Sequence, residues 1–193
     1  MDDESREQLL TDLVALNAET SAMPPSQWEA DTLAEVLTFQ RVVVTRPPRD
    51  QLLSAGFAPY NCHLNCAEHT ANDPEKSSRH VSGWLVHGYD LILHSVVEMR
   101  GQWLCLTPQL VDVAPQFQFI PDAVIDWREN AHGGKDPFRR GVAVPGVLRK
   151  YPEFHVRMSA KFSELVASGL STREAAAIVE ATIGAELRRK EPI

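Results

Sequence analysis

The sequence predicts an α+β fold in which a helix packs on a small antiparallel sheet, with helical extensions at the N- and C-terminal ends. Three observations carry this. A short helical pattern opens at Cys62, apolar runs of strand length separated by glycine-containing turns follow it as far as Leu106, and amphipathic helical patterns lie at both ends. The division that results is an N-terminal helical segment (1–41), an α+β core (42–128), a loop (129–150) and a C-terminal helical segment (151–193).

The length of 193 residues is enough for one full hydrophobic core with a helical appendage. A formal charge of −7 argues against nucleic acid and anionic lipid as main partners, since both select clustered positive charge. No apolar run approaches the roughly 20 residues that a membrane-spanning helix needs, so no membrane partner is expected. The start, Met1-Asp2-Asp3-Glu4-Ser5, is acidic where a signal peptide is basic. An odd number of cysteines without an export signal points to free thiols in a reducing, cytoplasmic setting.

Taken in order, Leu9, Leu10, Leu13, Val14 and Leu16 fall at helical spacing over 4–19, and Met23-Pro24-Pro25 stops that helix. Ser26, with Glu29 three residues on, caps a second helix whose stripe is Trp28, Leu33, Val36, Leu37 and Phe39. Val42-Val43-Val44 reads as a strand ended by Arg46-Pro47-Pro48, and 50–55 adds a helical turn. The helix from Cys62 ends near Asn72-Asp73-Pro74, because the residue before proline avoids helical torsions. Residues 75–79 read as a loop. Strands follow at 81–87, 91–98 and 102–106, joined at Gly88-Tyr89-Asp90 and at a tight Arg100-Gly101 hairpin turn, with a fourth at 116–120. Glycine, proline and charge dominate 129–150, which reads as a loop. Helices over 153–167 and 172–189 close the chain, the second opened by the capping box Ser171-Thr172-Arg173-Glu174.

Chemistry gathers between Cys62 and Cys105, a stretch that holds all three cysteines together with His63, His69, His80, His87 and His94. Asn61 is placed to cap the helix, which sets Cys62 in its first turn, where amide donors and the helix dipole favour thiolate. His94, alone in an apolar strand, is the imidazole to pair with it. Two other readings stand beside this one. Cys62, Cys66 and His69 share a helix face and, with His80 or His87, could hold zinc. Alternatively the cysteines are small buried side chains and His94 a satisfied core histidine. Cys105, in Trp103-Leu104-Cys105-Leu106, reads as core filler, and Trp84 as cross-strand packing or as a wall of the site. The thiol–imidazole reading calls for no cofactor.

Cys62-His63-Leu64-Asn65, Gly83-Trp84, His94-Ser95-Val96-Val97, Gly101 and Leu106-Thr107-Pro108 together resemble a loose family of uncharacterised bacterial and phage proteins. Its pattern is Cys-x-x-Asn on a helix, Gly-Trp on a strand, His-(Ala/Ser)-Val on the next, and an Asp-x-Thr-Pro ending. The order is similar to the papain-like and transglutaminase-like core. The resemblance covers residues 59–108 and implies a cysteine hydrolase or acyl transferase acting on an amide or peptide bond. It gives Cys62 the nucleophile's place and His94 the base's, and Asn65 a role in ordering the site or donating to an oxyanion. The acid of the Asp-x-Thr-Pro ending is here Cys105, so the third member is missing or supplied elsewhere, Asp112 being the nearest carboxylate after the strand. A catalytically silent binding module on the same fold follows if no acid takes that place.

Overall fold

The structure is a computed structural model and describes residues 22–111 and 113–190. The expected helix over 4–19 and the candidate acid Asp112 lie outside the described residues. The chain divides into two compact units, residues 32–148 and the terminal segments 1–31 with 149–193.

The first unit is α+β, but its sheet is not the open antiparallel meander expected. Strand β1 (Val42–Thr45) is followed by helix α2 (Arg49–Ser54), helix α3 (Cys62–Ala71), the long hairpin β2 (Ser78–His87) and β3 (Asp90–Met99), then β4 (Gln102–Leu104) and β5 (Gln116–Pro121). The strands are ordered β2-β5-β1-β4-β3, and β3 pairs again with β2, so the five close into a barrel. One contact in the ring, β1 with β4, is parallel. Two features lie beyond sequence pattern: β5 returns to lie between β1 and β2, and the chain leaves β4 to bond with β1, Cys105 N–H donating to the Thr45 carbonyl at 2.9 Å.

The Val42-Val43-Val44 run becomes a strand because β-branched side chains suit a pleated surface, and only Val44 among them is fully buried. The barrel interior is Val44, Val81, Val96, Cys105 and Phe119, with Val42, Trp103 and Phe117 against them. Residues of opposite parity face outwards, where α3 covers the barrel through Cys66, packed with Leu52, Val97 and Leu106. Arg100 and Gly101 both take positive φ (54° and 80°), the left-handed pair that a two-residue hairpin turn requires.

Half of the expected loop 129–150 is strand. β6 (Ile125–Glu129), β7 (Lys135–Arg139) and β8 (Val142–Ala143) form a separate three-stranded sheet, and β9 (Val147–Arg149) follows. Its signal was present: Arg140-Gly141, again with φ of 51° and 82°, repeats the turn chemistry of Arg100-Gly101. The expected loop 75–79 is also shortened, since Asp73 accepts from the backbone of Glu75, Ser77 and Ser78 and starts β2 at Ser78.

Helix α1 (Gln27–Val36) begins in the second unit's N-terminal segment and ends in the first unit. Ser26 Oγ accepts from Glu29 N–H at 3.0 Å as the capping pattern predicts. The Glu29 carboxylate turns instead to Arg149, at 2.7 Å and 2.9 Å, so half of the box forms. Val36 is buried and Leu37 exposed, because the helix ends between them.

Helix α4 (Pro152–Ala167) packs on α5 (Thr172–Val179) through Phe162, Ala175 and Val179. The Ser171–Glu174 capping box forms completely. The expected continuous helix to residue 189 is interrupted by a π-helical turn, Glu180–Gly184, before α6 (Ala185–Lys190).

Candidate active site

Cys62 is the first residue of α3, as expected, with Asn61 in the N-cap position; the Asn61 side chain caps nothing. The Cys62 sulfur is oriented by β3. Ser95 stands opposite Ser82, whose carbonyl accepts from Asp122 on the far side, so the Ser95 N–H points away from β2. Two residues earlier Leu93 N–H donates to Gly146 O at 2.8 Å, and two residues later Val97 pairs with Leu104. Between these contacts the backbone N–H groups of Ser95, His63 and Cys62 itself lie close enough to the Cys62 sulfur to favour its thiolate.

His94 is the next residue back on β3, and strand alternation sends its ring the other way, into the barrel. It is 8% exposed, meets the Phe117 ring edge-on at 5.8 Å, and places Nε2 3.3 Å from Cys105 Sγ. The hydrogen bond of this imidazole therefore goes to Cys105 and not to Cys62. Cys62 and Cys105 are close enough to influence each other's ionisation.

The charge states follow from burial. Burial pushes the Cys62 thiol up against the pull of its backbone donors. Burial, then His63 and Arg46, takes the His94 imidazole down to about 3. Cys66 and Cys105 are raised as well, by burial first. The resting pair is a neutral thiol and a neutral imidazole.

Asn65 is 3% exposed and ties the site together. Its Oδ1 accepts from Ala58 N–H at 3.1 Å, and Nδ2 donates to Ala58 O at 2.8 Å and to Leu106 O at 3.0 Å. Both amide hydrogens are thus spent within the protein, on the Ala58 and Leu106 carbonyls. Trp84 is fully buried, with Nε1 donating to Asp122 at 3.0 Å, so it packs instead of walling an open cleft.

The residues of the zinc alternative are not brought together as a ligand set. Cys66 points into the apolar cluster of Leu52, Val97 and Leu106, while His69 lies against Phe57. Among the described residues no three His, Cys, Asp or Glu side chains converge as a metal site.

Several residues near the site were missed in the sequence. On the outer face Ser95 Oγ sits 2.7 Å from both His63 Nδ1 and His80 Nε2, and the His63 ring packs at a tilt against Trp127, with 4.2 Å between ring centres. Inside, the Arg46 guanidinium lies 4.1 Å from the Phe117 ring centre and bonds to Ala114 O at 2.8 Å. Strand parity could have set Ser95 and His80 on one face; nothing local marks Arg46 or Trp127. A cavity of about 380 Å³, lined by Arg46, Pro47, Leu52, Thr107, Val113 and Pro115, opens beside the segment that follows Cys105; neither Cys62 nor His94 lines it.

No protein-family model, curated protein or solved structure matches the chain. Among the described residues no helix is long and apolar enough to cross a membrane.

Proposed function

We propose that the chain is a cysteine-dependent hydrolase or acyl transferase acting on an amide or peptide bond, with Cys62 as nucleophile and His94 as general base. The observation that carries this reading is Cys62 at the first residue of α3, where the backbone N–H groups of Ser95, His63 and Cys62 itself favour its thiolate. Hydrogen bonds to the charged form favour thiolate at the moment it is needed, although burial dominates at rest. Cys62 sulfur attacks the carbonyl carbon as its proton passes to the imidazole. The tetrahedral intermediate then collapses as His94 returns the proton to the leaving amine, and water or a second amine resolves the thioester. Backbone N–H groups at the start of α3 would stabilise the oxyanion.

Alkylation by iodoacetamide with site mapping tests this. Cys62 should be labelled first, with the label lost in Cys62→Ala and kept in Cys66→Ala. Equal, slow labelling of all three cysteines overturns the proposal.

One set of observations favours a second reading, a silent binding module on the same fold: Cys62 is only 9% exposed and His94 is held near 3. That reading expects native Cys62 to stay unlabelled near neutral pH while the fold remains intact.

A further inference from the structure

The sulfur of Cys105 occupies the place where a carboxylate was expected, and its surroundings are those of an acceptor. His94 Nε2 lies 3.3 Å away. The backbone N–H and hydroxyl of Thr107 and the Arg46 guanidinium all favour its anionic form, against the burial that raises it. Thr107 is 3% exposed, and its Oγ1, like the buried Arg46 Nε, has no hydrogen-bond partner in the structure. Two unspent polar groups facing one thiol are unusual, because a buried donor or acceptor left unpaired costs about 1–3 kcal/mol. A neutral thiol is a weak partner for all of them.

We propose that Cys105 is the positioning residue for His94: its sulfur accepts the Nε2–H, with the donors from Thr107 and Arg46 making the site an acceptor cage, so that Nδ1 is left without a proton. The inference deepens the catalytic reading of Cys62 and His94 and rests on it for its consequence. In this arrangement the thiol hydrogen turns to the otherwise unpartnered Thr107 Oγ1, which leaves the sulfur lone pairs for the Thr107 and His94 N–H groups. A histidine with Nε2 protonated and Nδ1 bare is the tautomer able to take a proton on the ring's other side. A thiol fixes the tautomer but gives the imidazolium little charge to lean on. The groups acting on the ring are Arg46 from the end of β1, His63 from α3, Cys105 after β4 and the Phe117 ring edge-on to it.

The test is nitrogen-15 NMR of the imidazoles, together with the pH profile of Cys62 alkylation, in the intact protein and in Cys105→Ala, Cys105→Ser and Cys105→Asp. The wild type should show His94 as the Nε2–H tautomer. Cys105→Ala should lose that preference, and Cys105→Ser should keep it. Cys105→Asp puts a carboxylate into the cage and should raise the His94 pKa by about two units, with alkylation of Cys62 near pH 7 faster by about tenfold or more. A His94 protonated on Nδ1 in the wild type overturns the proposal, as does a Cys105→Asp variant with an unchanged His94 titration. Should Cys105→Ala fail to fold, the wild-type tautomer and the serine and aspartate variants still decide. If His94 behaves as expected but Cys62 is unreactive in every variant, the catalytic reading falls and the positioning role stands.

Discussion

Asp122 is 1% exposed and accepts from Trp84 Nε1 at 3.0 Å and Arg139 Nε at 2.8 Å through one oxygen, and from Val124 N–H through the other. Arg139, itself 2% exposed, adds Glu35 at 2.9 Å. Removing one member of such a buried pair strands the other charge, at a cost of about 3–5 kcal/mol. Asp122→Ala should therefore lower the stability measured by urea unfolding by that amount, and Asp122→Asn, which can still accept from Trp84, by less. A loss under about 1 kcal/mol for the alanine variant would contradict the network. At this scale the sequence was only partly legible. Cys62, His94 and Asn65 stand out as residue types, but what each bonds to does not. Asn65 looked free to act on a substrate until three hydrogen bonds claimed its amide, and Cys105 looked like filler until His94 was found on it.

Strand β2 is shared between β3, along its whole length, and β5, through Gly83 to Leu85. Gly83 sits at this crossing, and a Cβ there would lie 2.2 Å from the Ile120 carbonyl and 2.8 Å from Phe119. The carbonyl belongs to the paired strand and cannot rotate away as a side chain could. Gly83→Ala should cost about 3 kcal/mol or more, whereas Gly101→Ala, in open space at φ 80°, carries only the penalty of about 1–2 kcal/mol for a left-handed turn. Thermal unfolding of the two variants should rank them in that order, and the reverse ranking would show that β2 can move off β5. The elements themselves were largely readable. The helix from Cys62, the β2–β3 hairpin and the Ser171 capping box all follow from local chemistry. The sheet of β6, β7 and β8 was hidden by its glycines, prolines and charges, which in so short and exposed an assembly mark turns and edges as well as loops.

Across the whole molecule, one buried histidine and two half-buried ones set a pH dependence. His94 is held at about 3 and His63 at about 4, both chiefly by burial, and His80 is lowered for the same reason. The unfolded chain protonates these rings near 6.5 while the folded chain does not, so stability is present above that value and falls as the pH drops below it. The slope is at most about 1.4 kcal/mol per pH unit for each ring. The fall should be visible between pH 7 and 5, above the range where lowered carboxylates such as Asp73 and Glu29 contribute, and His63→Gln should flatten it. A melting temperature constant across that interval would show that the rings are not buried as described. The sequence by itself determined the helix-then-strands order, the Arg100-Gly101 hairpin turn, the capping motifs at Ser26 and Ser171, and the presence of one thiol at a helix start with one imidazole on a following strand. Those depend on torsional preference and on periodicity over a few residues. Tertiary structure alone decided that the sheet closes, that β1 runs parallel to β4, that His94 turns inwards to Cys105, and that Cys62 finds its donors at Ser95. Closure depends on pairings between strands far apart in the chain, and alternation along a strand says only that neighbours face opposite ways, not which face becomes the interior.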